Sequence, residues 1–433
     1  MTTAVETFAL SFAQQRLWFA DQLAPGSPAY NMYEAYRLRG PLDVDALRQA
    51  LTDTVTRHES LRTTFRAHRG EPYQVIGPAA PVLDVVAVTD LAAEVDRRVR
   101  TPFALDKEPP LRTSLLRPAD SEDADDHVLL AVVHHIVSDE QSMAVFWRDL
   151  CAAYAARAQG RPVALVPPPV RYVDYAAWQR NWLSGDLLAD ELDHWRRELA
   201  GAPLVLELPS DKTRPARLDA RGVVPFRLPA DVLAGVHVVG RAAGATAFMT
   251  LLAAFTALLA KATGRDDVVV GTFAANRSIV EVEDIVGLFV NTLPLRVRLG
   301  EDPAFEDLLA TVRLAAMDGI RHEEVPFDQV VTAVGPSRDL SRNPLAQVAF
   351  QALAPTGDRV RLPGTAVSPY AVGQCGDPFD VRLAVRGAEG ELHYAAELFT
   401  PSSAASLAEW FVRIVTAAVA RPGLRLTQLP DRP

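Results

Sequence analysis

The chain has 433 residues, of which 49% are hydrophobic and 23% charged, and its formal net charge is −10. This length allows two or three hydrophobic cores, and the composition is that of an ordinary globular protein. The acidic total argues against nucleic-acid binding, which needs a basic face. The two cysteines, Cys151 and Cys375, exclude a disulfide framework and a cysteine-based zinc site, and we expect Cys151 to be a small buried hydrophobic residue.

Targeting and membrane signals are weak in this sequence. Residues 1–7 lack the basic start and the apolar core of a signal peptide. The longest apolar helix that the pattern predicts, about Phe248 to Ala260, is too short and too interrupted by threonine to span a bilayer. We therefore expect a cytoplasmic protein that does not enter a membrane.

In the first part of the chain, strands and helices are intermixed. The patterns predict helices at 11–23, at about 43–58, at 92–99 and at 142–159, and strands at 36–38, 74–76, 83–88, 113–116 and 128–133. This intermixing is typical of a layered α/β lobe. Near the end of the second helix, Glu59 and Arg62 are equally compatible with a buried ion pair that supports the lobe and with a substrate contact.

A proline-rich connector, Pro162 to Pro169, divides the chain. We place the lobe boundary there, with a first lobe at 1–165 and a second at 166–433. For the second lobe, the patterns predict helices at 174–178, 191–199, 246–262 and 403–420, and strands at 223–228, 268–271, 290–297, 345–352, 381–385 and 392–397.

The stretch from Val128 to Met143 is the best candidate for chemistry. A β-branched apolar run typical of a buried strand leads directly into His134 and His135, whose side chains point to opposite faces if the segment is extended. Asp139 follows four residues later and is a candidate both for a helix N-cap and for a catalytic partner. Histidine titrates near neutrality, with an unperturbed pKa of about 6.5, so one imidazole can serve as a base. A satisfied core histidine is the alternative at this stage.

Seven motifs, in order, resemble those of the condensation domains of nonribosomal peptide synthetases. They are Ser11–Phe19 (SFAQQRLWF), Arg57–Phe65 (RHESLRTTF), the His-His-x-x-x-Asp of 134–139, Tyr172–Trp178 (YVDYAAW), Val286–Arg296 (VGLFVNTLPLR), His322–Asp328 (HEEVPFD) and Arg338–Leu345 (RDLSRNPL). Such an ordered set is far more specific than any single short motif.

The resemblance implies an α/β (α+β) fold of two chloramphenicol-acetyltransferase-like lobes in a V-shaped pseudo-dimer, with a tunnel between them and segments of the second lobe crossing back to the first. It also implies an acyltransferase of secondary metabolite and antibiotic biosynthesis. That enzyme joins a donor acyl thioester to an acceptor amine, forming an amide or ester bond. The partners implied are upstream and downstream peptidyl carrier proteins, with an adjacent adenylation domain or a tailoring enzyme as further candidates. We expect a monomer without a metal or a cofactor of its own, since the substrates arrive on the 4′-phosphopantetheine of the carriers.

By the same resemblance, His135, His134 and Asp139 form the catalytic motif. His135 acts as general base on the amine or as hydrogen-bond partner of the tetrahedral intermediate, and the other two positions are used structurally. Arg277 matches a family arginine, and we expect it to pair with Asp139. Asn291 is a candidate for the substrate tunnel, with a structural turn role as the alternative.

Other motif residues are assigned supporting roles. We expect Tyr172, Tyr175 and Trp178 to pack within a lobe, and His322 to cap a helix. These assignments leave the chemistry to the His motif.

The sequence departs from the family at one important position. The family motif ends in Asp-Gly, whereas this chain has Asp139 followed by Glu140, which adds bulk and charge where a substrate approaches closely. Relatives with altered His motifs act as docking platforms for tailoring enzymes such as cytochromes P450. Two hypotheses are therefore open, a condensation enzyme and a catalytically silent docking platform.

Overall fold

The computed structural model describes residues 6–80, 83–119, 125–216, 218, 220–335, 339, 341–353, 359–372, 376 and 378–433. Cys375 and two positions of the seventh motif, 338 and 340, lie outside the described residues. The strands are β1 (Phe8–Ala9), β2 (Asn31–Arg39), β3 (Thr63–His68), β4 (Glu71–Ile76), β5 (Leu83–Val88), β6 (Leu111–Pro118), β7 (Asp126–His134), β8 (Arg221–Arg227), β9 (Asp267–Ala274), β10 (Asn291–Arg298), β11 (Val348–Leu353), β12 (Ala366–Pro369), β13 (Val381–Arg386) and β14 (Glu389–Ala395).

Helices are intermixed with these strands along the chain. The α-helices are α1 (Phe12–Leu23), α2 (Val44–Arg57), α3 (Leu91–Val99), α4 (Glu140–Arg157), α5 (Tyr172–Trp182), α6 (Gly185–Glu198), α7 (Ala230–Ala242), α8 (Ala247–Thr263), α9 (Phe305–Arg321), α10 (Phe327–Val334) and α11 (Pro401–Ala420). The mixed α/β class predicted from the intermixed patterns is therefore confirmed.

The described residues form two compact units. The first contains those of the ranges 1–184, 275–290 and 357–376, and the second contains those of 185–274, 291–356 and 377–433. The predicted boundary between residues 165 and 166 must therefore move to the end of α5. The physical reason is aromatic packing, because Tyr172 and Tyr175 of α5 lie against Phe289, with ring centroids 5.2 and 4.7 Å away, and Phe289 belongs to the returning segment 275–290.

The first unit is built on a sheet in the order β12-β2-β7-β6-β5, accompanied by the smaller sheet β1-β4-β3. β7 lies inside the larger sheet, antiparallel to both β2 and β6. Its residues Val128 to Val133 are all at most 2% exposed, as expected for an apolar run covered on both faces. This central strand carries His134 at its C-terminal end, so the rigid part of the unit positions the motif.

The second unit contains a mixed sheet in the order β10-β9-β11-β13-β14-β8. α8 is buried along almost its whole length and ends at Gly264, whose φ of 67° is the left-handed conformation that glycine adopts most readily. α11 is long and apolar enough to cross a membrane by length and composition alone. However, Leu407, Phe411 and Ile414 of α11 are buried in the core of this unit, and core helices commonly pass the same test.

Candidate active site

His134 ends β7 as a buried, neutral side chain. Its Nδ1 accepts the backbone N–H of Ile136 at 3.1 Å, so the ring proton of the neutral form is on Nε2. The rings of Phe103 and Tyr30 lie around it, with centroids 6.0 and 6.2 Å away. Burial, and to a smaller extent the neighbouring His135, lowers the pKa of His134 to about 3. This side chain supports the structure, since its Nδ1 is occupied by the N–H of Ile136 and its ring is enclosed by aromatic side chains.

His135 begins a short 3-10 turn and has the opposite tautomer. Its backbone N–H donates to the carbonyl of Tyr30 at 2.8 Å, and its Nδ1 lies 2.6 Å from the carbonyl oxygen of Ser138. A carbonyl only accepts, so Nδ1 carries the proton and Nε2 keeps its lone pair. The side chain is partly exposed. Burial lowers its pKa, opposed by the Ser138 carbonyl and Asp139, while the positive charge of Arg16 lowers it further.

Asp139 is both the N-cap of α4 and one end of an ion pair. Its Oδ1 accepts the N–H of Ser142 at 2.8 Å and lies 3.2 Å from Arg277 Nη2, while Oδ2 accepts the N–H groups of Phe289 and Val290 at 3.0 and 3.3 Å. The side chains of Asp139 and Arg277 are only 5% and 2% exposed. The N-cap and the pair predicted from the sequence are thus present in the structure.

Arg277 is held from several sides. Its Nη1 donates to the carbonyls of Val282 and Ile285 at 2.6 and 2.8 Å, and its guanidinium lies 4.0 Å above the ring of Phe289. These acceptors offset much of the guanidinium's loss of water, although Nε of Arg277 is buried without a hydrogen-bond partner among the described residues. Because Asp139 directly precedes α4, this arrangement fixes the turn that presents His135.

Ser142 was not identified from the sequence, although it joins the same network. Its hydroxyl donates to the carbonyl of Gly287 at 2.6 Å and accepts from Gly287 N at 3.0 Å and Arg277 Nη2 at 2.7 Å. A Cβ at Gly287 would lie 2.0 Å from the ring of Tyr172, so only glycine fits there. Tyr172 in turn donates its hydroxyl proton to the carbonyl of Leu288 at 2.6 Å. A serine three positions after an N-cap has no distinctive sequence signal.

Glu140 is engaged by a residue that the sequence did not single out. Its Oε1 lies 2.8 Å from Nη2 of Arg359, and Nη1 of the same arginine lies 3.2 Å from Glu34 of β2. The hydroxyl of Tyr36 donates to Glu34 at 2.7 Å. The side chain of Glu140 is 40% exposed. It is the first of three paired charged side chains, Glu140, Arg359 and Glu34, that lead from the first turn of α4 to β2.

Two further candidates make structural contacts. The buried Asn291 donates from Nδ2 to the carbonyls of Glu323 and Val325 at 2.7 and 2.6 Å, and its Oδ1 accepts the N–H of Phe327 at 3.1 Å. These contacts match the structural role that the sequence left open, and they fully use the amide. His322 is the C-cap residue of α9, as its motif position predicts.

A cavity of about 610 Å³ lies elsewhere in the first unit, lined by residues that include Arg57, His58, Arg157 and Tyr172. Glu59 also lines it and pairs with Arg62 at 3.3 Å, so the ion pair of the structural alternative is present but only partly buried. Its lining does not include His135 or Asp139. This cavity is therefore separate from the His motif.

Similar proteins were identified from sequence. A linear gramicidin synthase polypeptide from Brevibacillus parabrevis is 39% identical over 440 residues, covering 97% of this chain and 6% of that protein. Chondramide synthase cmdD from Chondromyces crocatus is 38% identical over 432 residues, covering 96% of this chain and 11% of that protein. The chain thus spans only a small part of these curated relatives.

Solved structures match over the whole chain. The X-domain from teicoplanin biosynthesis has a TM-score of 0.89 and 33% identity, covering 100% of this chain and 99% of that one. A complex of the X-domain and OxyB from the same biosynthesis matches with a TM-score of 0.88 and 33% identity, covering 99% and 97%. The condensation domain of the Monacolin K polyketide synthase MokA, at 20% identity and a TM-score of 0.86, covers 98% and 99% and shows the fold alone.

The family model of the condensation domain matches residues 5–430. The chloramphenicol-acetyltransferase-like fold class is confirmed by the structural matches. The resemblance inferred from seven ordered motifs is likewise confirmed, and the chain belongs to the condensation domain family of nonribosomal peptide synthetases.

Proposed function

We propose that this chain is an active condensation domain, an acyltransferase that joins a donor acyl thioester to the amine of an acceptor aminoacyl thioester. Both substrates arrive on the phosphopantetheine arms of carrier proteins. The observation that carries this proposal is the tautomer of His135, whose Nδ1–H is held by the Ser138 carbonyl at 2.6 Å while Nε2 keeps its lone pair. The neutral imidazole has the tautomer that a base requires, and because burial lowers its pKa, a proton taken up at Nε2 is readily passed on.

The reaction itself requires little from the protein. The acceptor amine attacks the thioester carbonyl carbon, so that a C–N bond forms and the C–S bond breaks. The proton lost by the amine passes to His135 Nε2 and then to the departing thiolate. A thioester is already activated, and alignment of the two substrates can supply an effective molarity of about 10⁵ M or more. The domain has to position His135 and the two arms.

The residues that hold His135 in place favour an active enzyme over a docking platform without catalytic activity. A buried hydrogen-bond network next to the turn consists of Asp139, Arg277 and Ser142. Loss of any of these hydrogen bonds would destabilise the fold, because a buried polar group would be left without its partner. Such a network fits a site in which the placement of one imidazole matters.

A second candidate function is favoured by one specific feature. The chain has a glutamate at the family's glycine position, and Glu140 is drawn into an ion pair with Arg359. Two of the matched structures are X-domains, one of them in complex with OxyB. In this alternative, the domain is a docking platform for a tailoring enzyme and performs no condensation.

One experiment separates the two functions. The domain is incubated with an upstream carrier loaded with an acyl group and a downstream carrier loaded with an aminoacyl group, and the carriers are analysed by mass. The active enzyme gives a condensed product on the downstream carrier. If a broad set of loaded carriers gives no product while a tailoring enzyme from the same assembly line binds the domain, the platform function replaces the proposal.

A further inference from the structure

In the second unit, two helices bring together a cluster of histidines and carboxylates that has no part in the proposed reaction. Glu191 and His194 are three residues apart on α6, and Asp318 and His322 are four residues apart at the end of α9. Both spacings place the two side chains on one helix face. The cluster joins positions that are distant in the chain, so the sequence alone identified no metal ligands.

The distances within the cluster suit a shared cation. Nε2 of His194 lies 3.3 Å from Oδ2 of Asp318. One ligand atom each from His194, Asp318 and His322 lie within 4.8 Å of one another. Ligand atoms about 2.0–2.1 Å from a tetrahedral zinc ion are roughly 3.3 Å apart, so the separations in the cluster are close to those that a shared ion needs.

The hydrogen bonds of the two imidazoles also favour metal binding. Nε2 of His194 is a buried atom without a hydrogen-bond partner among the described residues, despite its closeness to Asp318. Nδ1 of His322 lies 2.7 Å from Oε2 of Glu191, which leaves Nε2 of His322 for another ligand. A metal-bound histidine usually donates its other ring N–H to a carboxylate in this way, because that bond orients the ring.

We propose that His194, His322 and Asp318 bind a divalent transition-metal ion of the zinc class, with Glu191 orienting His322. Two imidazoles and one carboxylate are a donor set that zinc accepts, and water completes the fourth position. The ion ties α6 to the C-terminal end of α9. This site is independent of the condensation reaction, which needs no metal.

Binding changes one feature of the cluster. The two imidazole rings are stacked, with centroids 3.5 Å apart and planes inclined by 15°. The nitrogen lone pairs of stacked rings lie in two nearly parallel planes, so one ring must turn about its Cβ–Cγ bond before both can reach the same ion. That torsion is broad for histidine, and the turn is therefore accessible.

The test uses the intact protein, freed of metal with a chelator, and two probes. Zinc affinity is measured by calorimetry, and Co²⁺ is added separately to record the visible absorption of a bound tetrahedral ion. We compare the native protein with His194→Ala, with Asp318→Asn, which keeps the size of the side chain, and with the control His237→Ala on the exposed face of α7.

The native protein and the control should bind one zinc ion per chain, show the cobalt absorption and melt at a higher temperature with zinc. His194→Ala and Asp318→Asn should bind zinc at least about 100-fold more weakly and lose the absorption, because removing a ligand should cost at least as much as removing a residue that orients one, which costs about 10–100-fold. Melting curves in chelator verify that each variant is folded. The proposal is overturned if the native protein binds zinc no more tightly than the folded Asp318→Asn variant.

Discussion

His134 and His135 are adjacent residues of the same type, yet their surroundings give them different roles. Ile136 donates to Nδ1 of His134, whereas Nδ1 of His135 donates to the Ser138 carbonyl. Alternation along a strand predicts only that the two rings face apart. The assignment of chemistry to His135 came from the resemblance, and the tautomers now supply an independent physical argument for it.

The neutral state of buried His134 makes stability depend on pH. Its pKa is about 3 in the folded protein and about 6.5 in the unfolded chain, so only the unfolded state binds the proton between these values. The free energy of unfolding that His134 contributes by staying neutral is therefore present above about pH 6.5 and is lost as the pH falls below it. We expect the native protein to lose about 2 kcal/mol more free energy of unfolding between pH 7 and pH 5 than His134→Gln.

Urea denaturation at several pH values measures this difference. We compare the change in the free energy of unfolding with pH, the pH slope, and not its absolute value, because the packing cost of the substitution is the same at every pH. The exposed His68→Gln is a matched control that should keep the native slope. Identical pH slopes for the native protein and His134→Gln would mean that His134 is not held neutral.

Glu140 is the residue at which this chain departs from its family. Its pair with Arg359 is partly exposed, and Arg359 keeps Glu34 as a partner when the glutamate is removed. We expect Glu140→Gly to change the free energy of unfolding by less than about 1 kcal/mol. In condensation assays with simple aminoacyl acceptors, we expect the variant to form product faster than the native protein.

Glu140→Gln separates charge from bulk, because it keeps the length of the side chain. An intermediate rate for the glutamine variant would assign part of the effect to charge. Equal rates for the native protein and the glycine variant, with both active, would show that Glu140 is harmless and would remove one reason for the platform alternative.

At the scale of elements, the His motif is a junction between strand, turn and helix. β7 ends at His134, a short 3-10 turn follows, and α4 begins at Glu140. The carboxylate of Asp139 connects this junction to the returning segment 275–290 through Arg277 and two backbone N–H groups. A change in either charged residue should therefore displace the whole junction.

A double-mutant cycle tests this connection. Asp139→Asn keeps an N-cap side chain but removes the charge, and Arg277→Ala removes the partner. We expect each single change to cost about 3–5 kcal/mol in the free energy of unfolding, because each leaves a buried group without compensation. The double variant should cost clearly less than the sum, as chemical denaturation would measure.

The control for this cycle is Asp43→Asn, at another N-cap carboxylate, whose Oδ1 accepts the N–H of Ala46 at 2.9 Å. Asparagine caps about as well as aspartate, so this change should cost at most about 1 kcal/mol. Additive effects at Asp139 and Arg277 would show that the two charges are not energetically coupled.

The elements also show what the sequence could predict. The strand at 128–133 and the helix after Asp139 were predictable because an unbroken apolar run and a capping residue are strong local signals. α7, α9 and α10 were missed, and each of them begins without a side-chain N-cap, after Pro229, Ala304 and Pro326. A helix without a capping residue lacks the local signal that marks its start.

At the scale of the whole molecule, the first unit contains two segments that come from later parts of the chain. The described residues of the ranges 275–290 and 357–376 belong to the first unit, although their neighbours in the sequence belong to the second. They contribute Val286, Leu288, Val360 and Leu362 to its core. The resemblance implied that segments of the second lobe cross back to the first, but the sequence did not locate them, because pairings between distant segments leave no local signal.

The returning segments make the first unit dependent on the rest of the chain. We expect a fragment of residues 1–184 to lack a cooperative unfolding transition and the near-ultraviolet circular dichroism of packed aromatic residues, because it lacks four core side chains and Arg277. The intact chain under the same conditions is the reference. A fragment that unfolds cooperatively at the same denaturant concentration as the intact chain would show that the segments are dispensable.

The central claim is that His135 handles the proton of the condensation step, and single-turnover kinetics test it most directly. Native protein and His135→Ala are mixed with loaded donor and acceptor carriers, and the rate of product formation is followed by mass, with melting temperatures recorded for both. We predict that the alanine variant forms product about 10²–10⁴-fold more slowly and melts at nearly the native temperature. A folded His135→Ala variant that condenses the carriers at the native rate would contradict the account.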